Sequence, residues 1–413
     1  MIKMKTINCR ICGWKTGKTF IDLGHTPLSN SYLKKNMIKN EKKFPLHALI
    51  CTKCMLVQLK VFENPENIFS EYAYFSSYSK TWLKHAEEYV NKMIKEFNLN
   101  SDHLVMEIAS NDGYLLQYFK KYKIPVLGIE PAKNVAKIAQ KKKIPTITKF
   151  FGTKLAKELV KSGKQPDLLL GNNVLAHVPK LNDFVEGLKI ILKDKGVITL
   201  EFPHILQLIN KNQFDTIYHE HFSYFSLITL KKLFEMHKLK IFDVQELNTH
   251  GGSLRIFVKH KDNNFQKERK AVGKILEKEK MFGLKKISTY TNFSQEVNLI
   301  KKELLNFLYT AKKDKKTVVG YGAPAKGNTL LNFCEINFKL IDYTVDISPH
   351  KQEMYLPGSH ILIKNPNEIF KTKPDYVLIL PWNLKKEIMD QMKDIRKWGG
   401  KFVIPIPEVK IYQ

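Results

Sequence analysis

Four cysteines constrain the start of this chain more than any other feature. They form two Cys-x-x-Cys knuckles, Cys9/Cys12 and Cys51/Cys54, with 38 residues between them. Two thiolates on each of two tight turns can converge on one ion with bonds of about 2.3 Å, the spacing of a tetrahedral zinc site. Disulfides and buried free thiols are the alternatives. The stretch up to about residue 70 is turn-rich, with a turn at Gly24–Pro27 and extended pieces at 44–50 and 56–61. It has too little apolar chain for a core of its own, and bound metal would supply the missing folding energy. Four protein ligands leave no open position, so the zinc reads as structural. Cys334 sits in a helical pattern and reads as a small buried hydrophobe.

The rest of the chain alternates. After a helix expected over 80–97, short apolar runs at 104–108, 126–130, 144–148, 168–171 and 197–202 are separated by helical stretches. That pattern means βαβ units and a parallel sheet. A His-, Tyr- and Phe-rich segment at 205–230 interrupts it, and 240–246 and 254–258 read as closing strands. Residues 264–313 are charged and helical. A second alternation follows, with strands at 317–321, 341–345 and 376–380 and a helix at 325–332. The expected fold class is α/β: a small zinc-binding domain (1–70), a central Rossmann-like sheet domain (71–263) and a second, C-terminal Rossmann-like domain (264–413). No apolar run reaches the roughly 18 residues of a membrane span. The first residues lack a secretory apolar core. A soluble cytoplasmic protein with no membrane partner is the expectation.

The net charge of +28 invites a nucleic-acid partner. Only four of the 68 basic residues are arginine, however (Arg10, Arg255, Arg269 and Arg396), and the lysines are spread along the chain. Base readout and bidentate phosphate grips lean on arginine. A nucleic-acid partner is therefore not expected, whereas the positive field favours an acidic small molecule such as a nucleotide.

Several motifs carry chemistry. The first strand runs into Glu107-Ile-Ala109-Ser110-Asn111-Asp112-Gly113, and the second ends at Glu130 about twenty residues on. This is the layout of a doubly wound nucleotide site, in which the turn brings backbone to the ligand and the acid accepts from ribose hydroxyls. The glycines of a dinucleotide fingerprint are missing. A ligand with a sulfonium and a carboxylate, S-adenosylmethionine, fits better, against the plain reading of a strand–turn–helix corner. Asn172 and Asn173 end the fourth strand and either touch the ligand or cap a helix. Tyr218-His219-Glu220-His221 places four ionisable groups in a row. Neighbouring side chains point to different sides, which disfavours a metal and favours acid/base work over an incidental aromatic loop. His250-Gly-Gly-Ser-Leu-Arg255 is an anion grip or a hairpin turn. Gly320-Tyr321-Gly-Ala-Pro-Ala-Lys326-Gly-Asn328 makes a strand, a glycine loop and a helix start with one lysine. With Asp346 and Lys351 on the next strand end, it reads as a second nucleotide cradle.

Taken in order, these pieces resemble the sugar C-methyltransferase family that acts on nucleotide-linked 4-keto deoxysugars. The resemblance rests on the two knuckles with Leu23–Pro27 and Met55–Gln58, on Tyr72-Ala-Tyr-Phe-Ser-Ser-Tyr78, Glu107–Gly113 and Asn173-Val-Leu-Ala-His177, and on Tyr218–His221, His250–Arg255, Gly320–Gly327 and Tyr355–His360. Ala109, where glycine is common, and Leu362, where proline is expected, depart from it. The resemblance implies a zinc-binding domain, a central S-adenosylmethionine domain, a C-terminal domain that helps hold the nucleotide sugar, and catalysis in the Tyr218–His221 run. In the expected chemistry a base removes the proton beside the keto group, and the enolate carbon attacks the methyl sulfonium. His221 is cast as base, Glu220 as its orienter, Tyr218 as donor to the carbonyl oxygen, His219 as alternate base and Tyr72 as a pocket residue. Arg255, Tyr321, Lys326, Asn328, Asp346 and Lys351 are expected on the substrate. An O- or N-methyltransferase and a non-enzymatic zinc-ribbon binding protein are the competing classes.

Overall fold

A computed structural model describes residues 6–64, 66 and 75–413. Among these residues it contains a two-stranded hairpin and three larger sheets. A two-stranded hairpin of β1 (Ile7–Asn8) and β2 (Lys15–Thr16) carries the first knuckle. Three further N-terminal strands, β3 (Lys18–Thr26), β4 (Phe44–Ile50) and β5 (Val57–Leu59), form an antiparallel sheet. Its fourth strand comes from far along the chain: β11 (Ser223–Tyr224) pairs Ser223 with Gln58 and Tyr224 with Val57. The metal segment and the Tyr218–His221 run are thus parts of one construction.

The central sheet has seven strands: β6 (Val105–Ile108), β7 (Val126–Ile129), β8 (Thr146–Ile147), β9 (Leu168–Asn172), β10 (Val197–Pro203), β12 (Leu239–Leu247) and β13 (Ser253–His260). Their spatial order is 12-13-10-9-6-7-8. The five strands from β8 to β10 are parallel, and β13 runs antiparallel to both β10 and β12. Central parallel strands are covered on both faces and so read as continuous apolar runs; all four residues of β6 are buried. The chain leaves β6 toward β7 and β8, then returns to β9 on the other side. That reversal opens a crevice at the carboxyl ends of β6 and β9.

The helix Lys80–Phe97 covers this sheet and matches its sequence expectation end to end. The Ser79 side chain accepts from the Trp82 amide at the start, and Asn98 ends the helix in a left-handed turn. Ala86, Tyr89, Val90 and Met93 supply its buried stripe.

The third sheet contains β14 (Val318–Tyr321), β15 (Thr344–Val345), β16 (Ile363–Lys364), β17 (Tyr376–Ile379), β18 (Lys401–Ile404) and β19 (Lys410–Tyr412), in the order 16-15-14-17-18-19. It repeats the reversal at β14 and β17. The charged helical stretch before it becomes helices Lys270–Phe282, Ile287–Thr291 and Phe293–Lys313.

The N-terminal segment solves its shortage of core by sharing. Phe20 stacks on Phe293 at 5.0 Å and meets the edge of Tyr290 at 6.0 Å. Leu33 and Tyr355 exchange backbone hydrogen bonds of 3.0 and 2.8 Å. On its other side, Cys9, Ile11, Cys51, Cys54 and Leu56 belong to the hydrophobic cluster of the central sheet. No helix among the described residues is long and apolar enough to cross a membrane.

Candidate active site

The four knuckle sulfurs lie within 4.8 Å of one another, with Cys9 Sγ 3.4 Å from Cys54 Sγ and Cys12 Sγ 3.6 Å from Cys51 Sγ. A tetrahedron with 2.3 Å bonds has sulfurs about 3.8 Å apart. The donor set and its spacing fit zinc, and no free ligand position remains.

The carboxyl edges of the central and third sheets, closed by the N-terminal segment, enclose a cleft of about 940 Å³. Ala109, Asn111, Glu130, Asn172 and Asn173 line it from the central sheet, Tyr218 and His221 from the aromatic run, Lys326 and Lys351 from the third sheet, and Asn30 from the N-terminal segment. Tyr72 lies outside the described residues.

At the first strand end the backbone is under strain. Ala109 has φ +56 and Asn111 φ +49, both left-handed. Such a conformation costs an alanine about 1–2 kcal/mol, the concrete form of its departure from glycine. Gly113, at φ +74, has no room for a side chain, since a Cβ there would lie 2.4 Å from Ile144 Cδ1. Glu130 fastens the turn: Oε2 accepts from the Asn111 amide at 2.9 Å and Oε1 from the Ala132 amide at 2.8 Å. Burial pushes Glu130 up to about 7, with those two amides opposing. Glu107 is fully buried behind the turn, with the Tyr114 side chain beside it. Burial, then the charges of Glu130 and Asp112, hold its pKa far above the usual carboxylate range. Asp112 sits 3.7 Å from Lys142 and accepts from the Ser77 hydroxyl and amide. The Ser110 hydroxyl and the side-chain amide oxygens of Asn172 and Asn173 are buried and have no hydrogen-bond partner among the described residues. Crowded acids and orphaned acceptors at one strand edge fit a ligand bearing an ammonium and a sulfonium, which is S-adenosylmethionine. Glu130, Asn111 and the asparagines would hold it.

The aromatic run divides. His221 Nδ1 is 2.9 Å from the Thr216 carbonyl oxygen, which can only accept. The ring proton is therefore on Nδ1, and Nε2 accepts from the Tyr218 hydroxyl at 2.8 Å. Burial, then the neighbouring His177, drives the His221 pKa well down, so the imidazole is neutral. His177, absent from the expected set though inside the quoted Asn173–His177 motif, packs edge-on to His221 at 4.8 Å. Glu220 was expected to orient His221, but the Thr216 carbonyl occupies that nitrogen; Glu220 Oε1 accepts from Asn30 Nδ2 at 2.6 Å. His219 does not line the cleft. It packs beside Phe44 and Phe62, with Nε2 3.2 Å from the Pro45 carbonyl.

The third sheet repeats the Glu130 arrangement, with Asp346 Oδ2 accepting from the Ala323 amide at 2.8 Å. Lys351 donates to the Ala323 carbonyl at 2.8 Å and lies 3.5 Å from Asp346. Lys326 donates to Asn383 Oδ1 at 2.7 Å and rests over the Trp382 ring. Tyr321 and Asn328 do not reach the cleft: Tyr321 donates to Gln391 at 3.1 Å and Asn328 to the Ser29 carbonyl at 2.6 Å. Nor does Arg255. The anion it grips is Glu201, 2.6 Å from Nη2 and fully buried.

Models of three domains match this chain: a zinc-binding domain over residues 9–69, a methyltransferase domain over 82–243 and a C-methyltransferase C-terminal domain over 248–407. C-methyltransferase NovU of Streptomyces niveus is 33% identical over 404 residues, 98% of this chain and 96% of that protein. Among solved structures, magnesium protoporphyrin IX methyltransferase from Synechocystis is 14% identical and covers 43% of this chain and 78% of its own, at a TM-score of 0.33. A methyltransferase from Anabaena variabilis is 15% identical and covers 42% and 84%, at 0.35.

Proposed function

The chain belongs to the S-adenosylmethionine-dependent C-methyltransferase family with a zinc-binding N-terminal domain, and from that premise we propose that it methylates the carbon beside the keto group of a nucleotide-linked 4-keto deoxysugar. The observation that carries this reading is the shared cleft. Its cofactor edge, its neutral His221–Tyr218 pair and its two lysines face one volume.

A sugar carbon is no nucleophile until a proton is removed beside a carbonyl. His221 Nε2 offers the only lone pair of that ring, because the Thr216 carbonyl holds the proton on Nδ1. A neutral imidazole is in its base form at neutral pH, and the Tyr218 hydroxyl makes the pair one acid/base unit. Bound S-adenosylmethionine supplies the methyl group. Lys326 and Lys351 supply positive charge for a diphosphate, and Asn30 reaches into the cleft from the zinc-binding segment. We place the functional units at about residues 1–70, 71–263 and 264–413.

The test uses dTDP-, UDP-, GDP- and CDP-linked 4-keto-6-deoxyhexoses. Products are read by mass spectrometry and NMR, and solvent deuterium is followed at the carbons beside the keto group. A carbon-linked methyl and deuterium at the same carbon are expected. Methyl on oxygen or nitrogen, or no exchange with any of the four sugars, overturns the reading.

A further inference from the structure

We propose that His250 is a catalytic residue whose Nδ1–H donates to the substrate's keto oxygen as it becomes an enolate, with Asn173 and Glu201 as its positioning residues. The proposal rests on the keto-sugar reading above. In the step it serves, the α C–H bond breaks, the proton passes to His221 and the electron pair moves onto the carbonyl oxygen. In the next step the pair returns through carbon to form the C–CH3 bond, while the S–CH3 bond breaks and leaves its pair on sulfur. The oxygen charge between those steps needs a donor already in place.

Tyr218 is poorly placed for that task, because its hydroxyl already donates to His221 Nε2. His250 lines the same cleft. Its Nε2 lies 3.0 Å from Asn173 Nδ2, an amide nitrogen that can only donate. Nε2 is therefore the acceptor, and the ring proton sits on Nδ1. That nitrogen bonds no protein group among the described residues. A neutral imidazole presenting an N–H to a carbonyl is an established kind of electrophile. Burial keeps the ring neutral by lowering its pKa to about 4, with the Lys326 charge acting the same way.

The surroundings hold this geometry at a cost. His250 has φ +52 and Asn173 φ +55, so two left-handed non-glycine residues are hydrogen-bonded to each other at the cleft. Strain of this kind persists only where the neighbours over-determine it. Glu201 holds Asn173 directly and His250 through its chain neighbour: its carbonyl accepts from the Asn173 amide at 2.7 Å, and its Oε1 accepts from the Thr249 hydroxyl at 2.8 Å. Beyond His250 the loop is clamped. A Cβ at Gly251 would lie 2.5 Å from Trp382, and one at Gly252 2.6 Å from Gln207. Trp82 meets the imidazole edge-on at 5.3 Å.

The experiment measures deuterium exchange into the four 4-keto-6-deoxyhexoses by zinc-loaded, full-length protein holding S-adenosylhomocysteine. His250→Ala is expected to slow exchange by about 10²-fold, the usual loss of one oxyanion donor, with S-adenosylhomocysteine affinity unchanged. His250→Asn tolerates the left-handed backbone and keeps an N–H, and is expected to recover part of the rate. The imidazole 15N spectrum should place the His250 proton on Nδ1. Wild-type exchange by His250→Ala, a proton on Nε2, or equal losses in both variants together with lost cofactor affinity each overturn the proposal. A wild-type protein that exchanges none of the sugars overturns the keto-sugar reading itself.

Discussion

Replacing Glu201 by glutamine removes the charge at the centre of the network beneath the cleft while keeping its size. The carboxylate is fully buried and meets Arg255 Nη2 at 2.6 Å, Thr249 Oγ1 at 2.8 Å and His85 Nε2 at 2.9 Å. Burial alone would raise its pKa, but the His85 hydrogen bond and the charge of Arg255 outweigh it and bring the value to about 2, against an ordinary 4.5. At roughly 1.4 kcal/mol per unit, that difference amounts to about 3 kcal/mol of stability. Breaking a buried ion pair from one side costs about 3–5 kcal/mol by comparison with similar pairs, and here it leaves Arg255 only 3% exposed without its anion. Together the two routes give a fall in Tm of roughly 6–20 °C for a domain of this size. The folded pKa lies below the unfolded one, so the contribution is complete above about pH 4.5 and is lost as the pH falls toward 2. Calorimetry of wild type and Glu201→Gln should show a gap that is constant from about pH 7 to 5 and narrows below that. A gap under about 1 kcal/mol at neutral pH, or one indifferent to acid, refutes the reasoning.

Cys51→Ser should lose most of the approximately one zinc per chain measured by elemental analysis, and soluble yield with it; normal stability without zinc would contradict a structural site. Glu130→Ala should weaken S-adenosylmethionine by about 1–3 kcal/mol in titration calorimetry, since it removes a buried acceptor and unpins the Asn111 turn. His221→Asn should bind cofactor normally but turn over about 10²–10⁴-fold more slowly and stop incorporating deuterium beside the keto group. Unaltered exchange would remove His221 as the base.

Much of the central sheet was legible because its strands are buried on both faces and flanked by helices of regular period. Val105–Ile108 and Leu168–Asn172 announce themselves as apolar runs, as Tyr376–Ile379 does in the third sheet. Strands of two or three residues, such as Ser223–Tyr224, Ile363–Lys364 and Lys410–Tyr412, are too short to show a period, and Ser223–Tyr224 also depends on a partner far away in the chain. The cofactor edge was legible for a related reason: a turn and an acid one βα unit apart are held together by the sheet itself. The aromatic run shows the limit. Content alone marked Tyr218–His221, but which ring faces the cleft is set by the Thr216 carbonyl and by the Pro45 carbonyl of another sheet. Arg255 misleads in the same way, because only the register of β13 against β10 shows that it stands opposite Glu201.

The sheet completed by β11 also bears on the order of events during synthesis. Cys9 to Cys54 are made well before Ser223, so the metal can gather the two knuckles from local chain alone. Strand β5, however, has its partner Ser223–Tyr224 only after most of the central domain has been made. Until then its outer edge is open to any other extended chain. Pairing also has to wait for a long loop to close, which makes it slow. A nascent chain stalled before Ser223 would thus carry a loaded zinc site and an unpaired strand together. Such a fragment is adhesive at its edge, and aggregation of truncated products ending before Ser223, relieved once Tyr224 is included, is the trace this topology would leave.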